Sequence, residues 1–140
     1  MDTTTTVLAG VLVFVASQFV LKLWIEPAIE FRRLLARLSN DILFYQPTIT
    51  NNRTDPDLAK SLKEHAARLR SSVHVLPFYG VARVLFALPT ELQILSACRE
   101  LNGIAHNLNT QPSRNGAEEN SIAIKRVGEA LGVRTAYSGT

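Results

Sequence analysis

Cysteine is almost absent from the 140 residues, and the single Cys98 excludes an intramolecular disulfide and a cysteine-based zinc site. Such sparing use fits a reducing compartment. Glycine is also scarce, at seven residues. No G-x-x-x-x-G-K-[ST], G-x-G-x-x-G or G-x-S-x-G occurs, so the chain offers neither a phosphate-cradling loop nor a nucleophile elbow of the common kinds. The histidines His65, His74 and His106 lack the H-x-x-x-H or H-E-x-x-H spacing that puts two imidazoles on one helix face. Cys98 and His106 fall two turns apart on one expected helix, about 12 Å at 1.5 Å per residue, too far for direct proton transfer. Cys98 is therefore read as a core thiol. The chain is expected to carry no catalytic residue, metal or cofactor.

Positive charge is missing ahead of the longest apolar run. Met1 to Thr6 holds Asp2 and four threonines but no Lys or Arg, and no A-x-A pattern follows Ile25. A secretory signal would have a basic n-region and a small-residue cleavage site, so a retained anchor is the better reading. The run itself, VLAGVLVFVASQFVLKLWI from Val7 to Ile25, is free of charge before Lys22. At 1.5 Å per residue it reaches about 28 Å, the thickness of a bilayer's hydrocarbon core. Lys22, Arg32, Arg33 and Arg37 cluster beyond it, which places that side in the cytoplasm and the N-terminus outside. Lys22 can lift its ammonium to the headgroups and Trp24 suits the aromatic belt, so both mark the cytoplasmic boundary. Gln18 lies deeper, where it can bond a neighbouring span or stand as one tolerated polar residue. Ala9, Gly10, Ala16 and Ser17 offer a small-residue face for a homo-oligomer.

Beyond the anchor about 115 residues remain, enough for one small domain. The net charge of +3 is scattered, with no basic arm of the kind that binds nucleic acid, which is not expected as a partner. A mildly basic surface suits anionic membrane lipid as well as plain solvation.

Apolar spacing predicts helices. Ile29, Phe31, Leu34, Leu35, Leu38, Ile42 and Tyr45 recur at three- and four-residue steps, opposite Glu30, Arg33, Arg37 and Asp41, up to Pro47. Pro27 opens a new helix or kinks a continuing one. Thr48 to Asp55 reads as a loop, and its Asn52-Arg53-Thr54 glycosylation tripeptide is set aside as chance. Asp55-Pro56 is an N-cap signal for a second helix with the stripe Leu58, Leu62, Ala66, Leu69 and Val73. Thr90 to Gln93 has capping-box spacing, ahead of the stripe Ile94, Leu95, Cys98, Leu101, Ile104, Ala105 and Leu108. NTQPSRNG over Asn109 to Gly116 reads as a linker, followed by a helix from about Glu118 to Leu131 capped by Gly132.

The segment VHVLPFYGVARVLFAL, Val73 to Leu88, is the most apolar outside the anchor and has Arg83 as its only formal charge. Between Pro77 and Pro89 it is too short to span, so it is either a buried core helix or an interfacial segment. Phe78, Tyr79, Arg83 and Phe86 are its candidate interaction residues. Arg83 needs a carboxylate, a lipid phosphate or water for its donors.

The expected fold is all-α: a single N-terminal transmembrane helix followed by a small bundle of about four amphipathic helices. A tail and anchor take 1–26, a helical cytoplasmic domain 27–134 and a frayed tail 135–140. The stretches SQFVLKLWIEPAIEF (Ser17 to Phe31), LFY (Leu43 to Tyr45), LPFYG (Leu76 to Gly80) and LPT (Leu88 to Thr90) resemble a group of small bacterial proteins with one N-terminal span and a helical cytoplasmic part. The group has no assigned activity, so the resemblance implies an architecture and the bacterial inner membrane, and carries over no site residue. The expected role is a membrane-anchored interaction or scaffold module with an unidentified protein partner. The alternative is an effector that perturbs or senses membrane, oligomerising through its span and the interfacial segment.

Overall fold

The computed structural model describes residues 2–137, all of whose regular structure is helical. Helix α1 runs from Thr3 to Phe44, 42 residues and about 63 Å at 1.5 Å per residue. Its first part, Thr3–Val20, buries nothing, whereas Ala28, Phe31, Leu34, Leu35, Leu38 and Ile42 of its second part are buried. One helix is thus both bare apolar rod and core element. Pro27 neither starts a new helix nor breaks this one. Proline lacks an amide hydrogen and its ring crowds the carbonyl four residues back. The turn just before it, Leu21–Ile25, is π-helical, and the Glu26 amide donates to the Leu21 carbonyl five residues back. That wider turn lets the chain pass the proline without a stop.

Short α2, Gln46–Thr50, occupies part of the expected loop and buries Ile49. Helix α3 is Pro56–Val75, α4 Tyr79–Phe86, α5 Glu91–Asn109 and α6 Arg114–Leu131. The long segments of α1, α3, α5 and α6 form the bundle, with α5 packed against both α3 and α6 in the two most extensive pairings. Helix α1 leans mainly on α3, and α2 on α6.

The caps explain these boundaries. The Asp55 carboxylate accepts from the Leu58 amide at 2.9 Å. Thr90 and Gln93 exchange bonds of 2.7 and 3.1 Å, closing the expected capping box. Gly132 takes the left-handed conformation at the end of α6, with φ 65°. Helix α6 starts at Arg114, earlier than expected, because the Ser113 hydroxyl accepts from the Gly116 amide at 3.0 Å and turns half of the supposed linker into a first turn.

Every residue of the α3 stripe is buried, as are those of α5 except Leu95, which is half-buried. On α1, Ile29 and Tyr45 face solvent, and Ala28 packs inward in their place. At the start of the expected tail, Thr135 is buried and Ser39 donates to the Arg134 carbonyl. Residues 138–140 of the expected tail lie outside the described residues.

Two polar clusters hold the helices in register. Asp41, expected on the solvated face, meets His65 across α1 and α3, with His65 Nε2 2.7 Å from Asp41 Oδ2. The side chain of Asn120, fully buried on α6, donates to the Ile49 carbonyl at 2.9 Å and accepts from the Asn107 amide at 2.9 Å. Asn52 lies beside it at φ 47°, buried. In the orientation that satisfies both ends of its amide, its nitrogen donates to the Asn107 carbonyl and its oxygen accepts from the Ser113 amide, each at 3.1 Å.

Candidate functional site

Helix α4 is apolar on two opposite faces. Tyr79, Ala82 and Phe86, at three- and four-residue steps, turn inward: Ala82 is buried, and the two rings pack against the core. Phe78, Val81, Val84 and Leu85 turn outward, and Phe78 and Val84 are 77% and 72% exposed. A helix apolar all round is ordinarily enclosed by protein or lipid. This one is enclosed on one side. The segment is therefore not a buried core helix; it is a two-sided cover over the bundle.

Both ends of α4 are conformationally forced. Phe78 and Ala87 take left-handed backbone, with φ 51° and 49°, where a Cβ is crowded by the neighbouring carbonyl. Leu76 and Leu88, both buried, pin the chain outside these corners. The Tyr79 hydroxyl donates to the Pro89 carbonyl at 2.7 Å, and Arg32 of α1 donates to the Phe86 carbonyl at the C-terminal end of the helix. Glycine at position 87 would relieve the crowding at its corner, so Ala87→Gly is expected to raise stability by about 1 kcal/mol. Urea unfolding of the variant beside the parent measures it.

Burial pushes the Tyr79 phenol from 10.0 up to about 12, with Arg83 pulling it down and Glu91 up. A folded pKa above the unfolded one means stability that is intact below pH 10 and lost as pH rises towards 12. Tyr79→Phe removes the bond to Pro89 and is expected to cost about 1 kcal/mol at neutral pH, while flattening that alkaline loss. Thermal unfolding from pH 8 upward separates the two effects.

The position of α4 ties it to the foot of the apolar rod. Helix α3 runs back along α1, and its last residues, Ser72 and Val75, open onto one groove with Lys22, Glu26 and Phe31. Val75 is 65% exposed, three residues ahead of Phe78 in the chain. Helix α4 then begins just past Val75 and ends at the Arg32 contact. Lys22 is exposed there and Trp24 is half-buried, while Gln18 is half-exposed a turn further along the rod.

Of the four candidate residues, the structure turns only Phe78 fully outward. Arg83 is half-buried, and among the described residues it has no side-chain hydrogen bond or ion pair. Tyr79 and Phe86 are structural. Val75, Val81, Val84 and Leu85 were missed, although their spacing from Phe78 is helical, because a segment apolar on every side does not reveal which face is covered.

Elsewhere the nucleophilic and basic groups are committed. The Cys98 thiol donates to the Ala66 carbonyl at 3.3 Å, and burial pushes its pKa up, which disfavours the reactive thiolate. His65 is paired with Asp41, and His74 and His106 are exposed on separate helices. Among the described residues no group of three or more His, Cys, Asp or Glu could hold a metal ion. Comparison with family models, curated proteins and solved structures finds no match.

Proposed function

We propose that this chain is a membrane-anchored helical interaction module, with the rod of α1 spanning the bacterial inner membrane, the N-terminus outside and the bundle in the cytoplasm. One observation carries the reading. Thr3–Val20 buries none of its residues, while the same unbroken helix contributes six to the core. That bare stretch is about 27 Å long and apolar from Val7 on, close to the hydrocarbon thickness of a bilayer. Such a helix ties the bundle to the span without a flexible linker. The basic residues Lys22, Arg32, Arg33 and Arg37 favour the cytoplasmic side for the bundle.

A chain carrying a C-terminal tag should stay in the membrane pellet through an alkaline carbonate wash, keep its full mass, and resist protease added outside spheroplasts. A shortened mass would mark the rod as a cleaved leader, and release by carbonate would remove the span. The partner is then sought by in-cell crosslinking of the anchored form. The outward apolar face of α4 favours a second reading, a protein that senses or perturbs the bilayer. Dye leakage from vesicles on addition of the full chain tests it, and background leakage rejects perturbation.

A further inference from the structure

Among the surfaces of the bundle, α4 combines three features that point to one occupant. Its outer face, Phe78, Val81, Val84 and Leu85, is exposed and apolar, and so is Val75 three residues ahead of it in the chain. Val75 opens onto the same groove as Lys22 and Glu26 at the foot of the rod, so the apolar face begins three residues along the chain from that groove. Arg83 rides the same helix, half-buried and without a side-chain partner among the described residues, and its guanidinium suits phosphate oxygens. An exposed apolar face and a guanidinium without a side-chain partner on one helix match the boundary of acyl chains and anionic headgroups.

We infer that α4 is an interfacial helix that seats its outer face in the same leaflet from which the rod emerges, with Arg83 held by lipid phosphate. This rests on the membrane reading of α1. In this arrangement the bundle is not suspended on the rod; it rests on the lipid at two points. Helices seated this way lie about 5–10 Å into the headgroup and acyl boundary. The two left-handed corners at Phe78 and Ala87 and the Arg32 bond hold the outer face in place before lipid is met.

The test uses the full chain reconstituted in vesicles of phosphatidylcholine with phosphatidylglycerol, some lipids carrying bromine at a shallow or a deep acyl position. Trp24, the only tryptophan, reports the foot of the rod. In a Cys98→Ala background, an environment-sensitive probe on Val84→Cys reports α4, and one on Ser121→Cys, exposed on α6, serves as the reference. The expected result is Trp24 quenched by the brominated lipids and the position-84 probe quenched several-fold more than the position-121 probe, most by the shallow bromines. Val81→Asp with Leu85→Asp, both at exposed positions, should abolish probe quenching and leave Trp24 quenching intact. Arg83→Gln should weaken probe quenching in the phosphatidylglycerol vesicles and change little in phosphatidylcholine alone. Trp24 quenched with the two probes alike would overturn the seating of α4 while keeping the span. An unquenched Trp24 would remove the span itself, and a position-84 probe crosslinked to a captured protein in cells but unquenched by lipid would assign the outer face to a protein.

Discussion

Phe31→Ala is expected to cost the bundle about 3–5 kcal/mol, the largest loss from any one side chain discussed here. Phe31 is 1% exposed and is the largest fully buried side chain among the described residues. It sits on the half of α1 that joins rod to bundle, at the edge of the groove shared with Ser72 and Val75. Truncation there removes a ring from water-free packing and leaves a cavity that the surrounding helices, held by their own caps, cannot fully close. Small domains have about 5–15 kcal/mol in total, so the variant should sit near its unfolding threshold. Urea unfolding in detergent, followed by helical circular dichroism, gives the loss directly. Phe31→Leu, which keeps most of the volume, should recover the greater part. A Phe31→Ala loss no larger than that of an exposed α1 site such as Ile29→Ala would show that the distal half of α1 does not belong to the core.

Asn120→Ala is expected to cost about 2–3 kcal/mol, through polar groups left without partners. The Asn120 amide is 0% exposed and donates to the Ile49 carbonyl at 2.9 Å, joining α2 to α6 across 71 residues of sequence. Water cannot replace it without opening the packing between the two helices. Gly116 reaches the same cluster from another side, since a Cβ there would stand 2.5 Å from the Asn52 side-chain amide and 2.9 Å from Ser113 Oγ. Gly116→Ala should therefore also destabilise, and the double variant should lose less than the two single losses added together, because both disturb one network. Strict additivity in that double-mutant cycle would separate the two sites.

These expectations mark where the sequence is legible. Amphipathic period alone places Leu58, Leu62, Ala66, Leu69 and Val73 in the core, and local chemistry places the caps at Asp55, Thr90 and Gly132. Both signals live within a turn or two of the residues concerned. The Asp41–His65 pair and the Asn52, Asn107 and Asn120 cluster join residues far apart in sequence, and each member is a type usually found in water. Nothing local distinguishes them from solvated neighbours. Asn52 shows this well, since its tripeptide suggests an exposed acceptor and its side chain is buried. The candidate site was half legible: its apolar content is plain in the sequence, but its two-sidedness follows from left-handed corners at Phe78 and Ala87, residues that rarely adopt them.

The wide turn at Leu21–Ile25 also governs torsion. An α-helix winds 3.6 residues per turn, and a turn that takes in one residue more absorbs it locally and nearly keeps the bearing of the helix beyond. Rod and bundle share that axis without a hinge, and the compass bearing of the bundle is therefore slaved to the bearing of the rod. Rotate the rod and every outward surface of the bundle sweeps with it, like a flag on a pole. Deleting one residue from the wide turn would leave an ordinary turn and nearly the same bearing, whereas deleting one from the α-helical rod, Thr3–Val20, would turn its outer end by about 100° relative to α4 while sparing the core packing of the bundle.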